Sequence, residues 1–193
     1  MRKVALDEIM GLDRYESVRP EFRRRIIEMK RDRRVGVGDC VTFVFENHDT
    51  MWFQIQEMLR AEHIVDLDRI RDELEVYNGL IPNPGELSAT MLIEITEAER
   101  IREQLVSFIG IDSAVRLEVG QQRIGGEFEG GRSTAEKLSA VQYVRFRLDA
   151  AVRQAFSSGI EPVRLVIDHV NYRHDAHIEG RVRESLARDL EAT

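Results

Sequence analysis

The sequence holds a single cysteine, Cys40, so no internal disulfide framework exists and the chain must fold on its core alone. No apolar run approaches the ~20 residues that span a bilayer. Residues 1–8 (Met-Arg-Lys-Val-Ala-Leu-Asp-Glu) acquire acids where a signal peptide needs its apolar stretch. There is no internal repeat, no low-complexity stretch, no Walker-type phosphate loop and no Gly-x-Ser-x-Gly nucleophile elbow. Lysine is almost as scarce as cysteine: only Lys3, Lys30 and Lys137 stand among 28 basic residues. What remains is a 193-residue chain, 42% hydrophobic and 33% charged, too apolar for intrinsic disorder. A folded chain of this size is expected to bury about 70% of its surface, enough for a sizeable core. These absences leave a soluble cytoplasmic protein as the expectation.

Charge is unevenly spread. Residues 1–35 carry 11 Lys/Arg against 7 Asp/Glu, a net of +4; the other 158 carry 17 against 28, a net of −11. The planar guanidinium fork suits fixed carboxylate or phosphate contacts, although genomic base composition produces the same arginine bias.

Periodicity places a helix over about 19–33, with Pro20 in its first turn, Phe22, Ile26, Ile27 and Met29 on the apolar pattern, and Gly36 and Gly38 as stops. A β-branched and aromatic run at 41–45 reads as a strand ended by Asn47-His48-Asp49. Asp49 or Thr50 caps a helix whose one side carries Met51, Ile55, Met58, Leu59 and Glu62. A further helix from Asp66 places Leu67, Ile70, Leu74 and Tyr77 on a buried stripe and ends in loop chemistry at 78–85. Strands are expected at 89–95, 113–119, 122–128, 139–148 and 163–168. Helices are expected at 97–108 (Thr96 and Glu99 forming a capping box), 149–157 and about 176–190. A bulged or mobile strand followed by a loop to about Leu138 is expected around Gly125-Gly126 and Gly130-Gly131. The order predicts an α+β fold: an N-terminal helical segment on a mostly antiparallel sheet, with a ferredoxin-like sandwich plus an additional strand as one version. The chain reads as one domain over 1–193; any sub-division falls around 80–88, between a mainly helical 1–80 and an α+β 86–193.

Several stretches carry a family resemblance. They are Arg33-Arg34-Val35-Gly36-Val37-Gly38-Asp39, Phe45-Glu46-Asn47, residues 54–62, Glu73-Leu74, Tyr77-Asn78, Leu80-Ile81-Pro82, residues 85–90 and Ile167-Asp168-His169. Together they resemble a bacterial family catalogued as domain of unknown function 3501, along nearly the whole chain. The resemblance brings no catalytic residues. It implies a redox or peroxide-defence setting, with a rubrerythrin-type or iron–sulfur oxidoreductase-type protein as partner. One cysteine cannot supply the four thiolates of an iron–sulfur cluster of its own.

Three groups of residues are candidates for function. Arg23, Arg24, Arg25, Lys30, Arg31, Arg33 and Arg34 place seven cations within twelve residues. Arg23, Arg24, Lys30, Arg31, Arg33 and Arg34 are the candidate surface for an anionic partner, phosphate ligand or nucleic acid; the plain alternative is a solvated helix face. The acidic pI and the lack of aromatic interleaving argue against nucleic acid. Glu57, Glu62 and His63 on the second helix, with Asp168, His169, His174 and His177, are the candidate ligands of an iron or zinc enzyme. Against that, Glu-x-x-His fails because Arg60 occupies the fourth position, and Glu57–Arg60 and Glu62 with Arg69 or Arg71 read as ion pairs. His174 and His177 share a face only if they are helical. Cys40 and Trp52 read as core. The leading expectation is a non-enzymatic accessory protein of a redox module; the alternatives are a metal-dependent enzyme and an anion binder, with self-association left open.

Overall fold

The computed structural model describes residues 1–96, 99, 101–130 and 138–191. Helix α1 (Leu12–Arg31) is followed by a hairpin of β1 (Arg34–Val37) and β2 (Val41–Glu46), then α2 (His48–Ala61) and α3 (Leu67–Asn78). After β3 (Glu86–Ile93) come α4 (Ile101–Ser107), β4 (Val115–Val119), β5 (Gln122–Gly125), β6 (Glu127–Phe128) and β7 (Val141–Arg147). The chain then runs through α5 (Ala150–Ser158), β8 (Val163–His169), β9 (Tyr172–His177) and α6 (Gly180–Glu191). The α+β class and the helical layer on an antiparallel sheet are as expected. The strands divide between two sheets, however, ordered β1-β2-β3-β7-β6 and β5-β4-β8-β9, instead of the one sheet of a ferredoxin-like fold.

Alternation along the strands builds the core between these sheets. Phe43 and Phe45 of β2, Leu87 and Met91 of β3, Val144 and Phe146 of β7 and Leu117 and Leu165 of the second sheet share one cluster. Phe156 of α5 and Leu186 and Leu190 of α6 extend it. A second cluster, under α1–α3, holds Tyr15, Trp52, Ile55, Leu59, Leu74 and Tyr77. All six residues of β2 are buried, because this strand lies inside the sheet between the two clusters.

Four departures from the sequence reading have local causes. First, α1 starts at Leu12, not near 19, so Pro20 lies mid-helix and forfeits one backbone bond. Tertiary contacts carry the helix through: Glu57 of α2 accepts hydrogen bonds from Tyr15 Oη at 2.7 Å and from Arg19 Nε and Nη2 at 2.7 and 2.8 Å, just before the proline. Second, residues read as helix stops form β1, whose Val35 and Val37 point inward. Third, 122–128 splits between sheets at Gly126, where a Cβ would lie 2.8 Å from Val144 Cγ2. Fourth, the last helix starts at Gly180, since His174 and His177 belong to β9, hydrogen-bonded to β8. The start of the helix expected at 97–108 and residues 131–137 of the expected loop lie outside the described residues. No helix among the described residues is long and apolar enough to cross a membrane.

The junction of α1 with β1 is fastened from the far end of the chain. Arg33 is 1% exposed. It donates from Nε to the Phe45 carbonyl at 2.7 Å, from Nη1 to Ser185 Oγ at 3.1 Å, and from Nη2 to the Glu46 carbonyl at 3.2 Å and to Asp189. Helix α6 is thereby tied to the helical layer by a buried guanidinium with four of its five N–H donors engaged.

Two carboxylates give the fold an acid limit. Hydrogen bonds from Arg19 hold Glu57 below the usual carboxylate range; those from Arg116, reinforced by Arg164, do the same for buried Glu118. A folded-state pKa below the unfolded one gives stability that is complete above about pH 4.3 and is lost as pH falls through the folded value. The pair Glu57→Gln/Glu118→Gln is expected to flatten the acid limb of stability measured by urea unfolding against pH. An unchanged slope contradicts this assignment.

Candidate functional site

Helix α1 turns Tyr15, Phe22 and Ile26 inward, where Phe22 and Trp52 stack at 4.7 Å between centroids. At about 100° per residue, that orientation sends Arg23, Arg24, Ile27 and Arg31 outward. All four are exposed, Ile27 by 45% of its surface. Ile27 fits the apolar pattern of the sequence, but one step from Ile26 carries it out of the core. Arg34 extends the basic surface from the edge strand β1, where its side chain is exposed.

Most acids that approach this surface lie at its margins. Arg25 pairs with Asp49 at 3.0 Å, and Arg31 with Glu28 at 2.9 Å in a pair whose side chains are both 69% exposed. Among the described residues Arg23, Arg24 and Arg34 form no ion pair, nor does half-buried Lys30. Arg33 is a correction to the expected set. It is not a surface cation but the buried fastener of α6, with every contact internal. Burial pushes the Asp189 carboxyl up, and the Arg33 guanidinium opposes that push.

The candidate metal ligands fall in separate places. Glu57 is taken by Arg19 and Tyr15, and Arg60 pairs with Glu16 at 2.6 Å instead of Glu57. Glu62 lies at the α2 C-terminus, exposed and 3.5 Å from Arg69, so it does not share the apolar face expected for it. His63 beside it is exposed, with a left-handed φ of 52°. Asp168 is exposed on the second sheet, 3.5 Å from both Arg116 and Arg173. His169 is buried, its Nε2 3.1 Å from the Ile109 carbonyl; Nδ1 accepts from the Asn171 N–H at 3.3 Å. His174 and His177 are three apart on a strand and face opposite sides, with His174 stacked on Tyr172 at 4.5 Å. Among the described residues no three His, Cys, Asp or Glu side chains are grouped to hold a metal ion.

Two further surfaces escaped the sequence reading. An apolar groove of about 260 Å³ runs between residues 6–12, the α2 C-terminus and the α3 N-terminus. Val65 and Leu67 on its rim are 73% and 57% exposed, although Leu67 was expected on a buried stripe. The bend between α2 and α3 places the first turn of α3 beyond the core, so only Leu74 and Tyr77 of that stripe are fully buried. A larger cleft, about 630 Å³, lies between α5, the start of β8 and α6. Arg183 closes its wall by donating to the Phe156 and Ala155 carbonyls at the α5 C-terminus and to the Glu161 carbonyl in the loop before β8.

Comparison with known proteins places this architecture. The family described as "Protein of unknown function (DUF3501)" matches residues 3–190. A crystal structure of a protein of unknown function from Burkholderia pseudomallei K96243 is 34% identical and superposes with a TM-score of 0.92, over 98% of this chain and 100% of that one. No curated protein matches the chain.

Proposed function

The chain belongs to the DUF3501 family, and from that premise we propose that it is a non-enzymatic accessory protein that docks an acidic protein surface on the outer face of α1. One observation carries this reading: exposed Arg23 and Arg24, without an ionic partner among the described residues, and Arg31 one turn on flank the exposed side chain of Ile27 on a chain of net charge −7. An apolar anchor ringed by arginines is the composition of a protein contact, where the anchor supplies burial and the charges steer and register the partner. Nucleic acid fits less well, because Phe22 and Trp52 are packed inward and no aromatic side chain is offered for base stacking. The acids and histidines that an enzyme would need are committed to internal pairs or scattered over the surface. A rubrerythrin-type or iron–sulfur oxidoreductase-type protein is the partner class suggested by the family's redox setting.

The test is titration of such a protein, from the same organism, with wild type and with Arg23→Glu/Arg24→Glu/Arg31→Glu. Each exposed charge contact contributes about 0.2–1 kcal/mol, and reversal adds repulsion, so the triple variant is expected to bind roughly 30-fold more weakly or worse. Wild-type binding is expected to weaken with salt. Equal affinity for the two proteins, or no binding by wild type, overturns the proposal.

A further inference from the structure

We infer that a second copy of the chain also occupies this basic face, in a two-fold dimer whose α1 helices run antiparallel; the inference rests on the docking role proposed for α1. Two unlike halves of one helix carry it. The C-terminal half presents Arg23, Ile27 and Lys30, with Arg24 and Arg31 beside them. The N-terminal half ends at the apolar groove, whose wall includes Leu6, Leu12, Leu59 and Ile64 and whose rim is Val65 and Leu67.

Two acids adjoin the groove residues Leu6 and Leu12 in the chain. Asp7 and Asp13 are exposed and form no ion pair among the described residues, and Asp13 lines a second depression that shares Leu12 with the groove. The groove is smaller than the roughly 300–1,000 Å³ of small-molecule sites and suits an aliphatic anchor flanked by cations. Ile27 with Arg23 and Arg24 is such an anchor on the same chain.

The two halves also face the same way. Fifteen residues separate Leu12 from Ile27, which at about 100° per residue leaves them some 60° apart around the helix and about 22 Å apart along it. Arg23 and Lys30 fall within about 20° of Leu12. Helix α2 borders this side at the N-terminal half, where Arg19 and Glu16 meet it, and leaves it toward the C-terminal end, where its contact through Arg25 lies on the opposite flank. Antiparallel juxtaposition therefore sets Ile27 of each copy on the groove of the other, and opposite charges meet twice. A two-fold contact of this kind closes on itself, where a head-to-tail one would polymerise. The second copy and the acidic partner then compete for one surface.

A charge swap distinguishes the outcomes. The probes are full-length wild type, a basic-face variant (Arg23→Glu/Arg24→Glu) and a groove variant (Asp7→Arg/Asp13→Arg), all compared by sedimentation velocity at low salt and by circular dichroism for folding. Wild type is expected to move from 22.3 kDa to twice that mass as concentration rises. Each variant alone is expected to stay monomeric, and their equimolar mixture to recover the dimer, because both contacts are attractive in the mixed pair. Wild type that stays monomeric throughout, or a mixture that fails to pair while wild type dimerises, overturns the dimer. The groove variant keeps the basic face, so its capture of the acidic protein reports on the docking role separately: capture without wild-type dimerisation overturns only the dimer.

Discussion

Replacing Arg33 with methionine is expected to cost about 3–5 kcal/mol of stability, the penalty for leaving one member of a buried ion pair alone. For a chain of this length that lowers the melting temperature by roughly 6–20 °C. The reasoning follows the contacts. The side chain is 1% exposed, and its donors serve two β2-end carbonyls, Ser185 and Asp189. Methionine fills much of the volume but donates nothing, so Asp189 stays buried beside unpaired carbonyls. Removing the acid as well, in Arg33→Met/Asp189→Leu, is expected to recover most of the loss, since well-packed apolar pairs replace buried ion pairs at little cost. Calorimetry of the three proteins decides it; a single-variant shift under about 2 °C contradicts the fastening role.

Gly38→Ala is expected to lose about 2–4 kcal/mol, part from backbone strain and part from lost hydrogen bonds. Gly38 has a φ of +74°, where a side chain is strained, and a Cβ there would lie 2.7 Å from His174 Cγ and against the Tyr172 hydroxyl. That hydroxyl donates to the Val37 carbonyl at 2.7 Å and accepts from the Cys40 N–H at 3.1 Å, joining edge strand β9 of one sheet to the β1–β2 turn of the other. The control is Gly110→Ala, which has a similar φ of +89° but nothing within 4 Å of its Cβ. It pays the backbone strain alone, about 1–2 kcal/mol. Equal losses in urea unfolding would mean that the contact between the sheets adds nothing.

These two residues also mark where the sequence stops being legible. Strands β2, β3, β7 and β8 announce themselves through β-branched and aromatic runs, and α2 and α5 through apolar spacing, although the cap of α2 is Asn47 and not Asp49 or Thr50. Edge strand β9 does not. Only Tyr172 is fully buried in it, and its Arg-His-Asp-Ala-His remainder pairs on one side only, so no alternation survives to be read. Arg33 looks like its six cationic neighbours because its partners Ser185 and Asp189 lie more than 150 residues away, and nothing local distinguishes it. Ile27, in contrast, was readable: its angle from Ile26 already directed it outward. Pro20 does not open the helix, as its local preference suggests, because the tertiary clamp of Glu57 on Tyr15 and Arg19 outweighs that preference. The candidate histidines dispersed for a related reason. A spacing of three places two side chains on one face of a helix but on opposite faces of a strand.

The split between a basic first sixth and an acidic remainder thus resolves into one outward helix face, with one arginine taken inside as a structural bolt. The most direct measurement is the affinity of the proposed acidic partner for three proteins at matched salt: wild type, the Arg23→Glu/Arg24→Glu/Arg31→Glu variant, and a variant reversing three exposed arginines elsewhere, Arg173, Arg181 and Arg188. A roughly 30-fold loss confined to the α1 variant is the expected result. Equal losses in both variants would reduce the contact to net charge alone, and an undiminished affinity in the α1 variant would contradict the account outright.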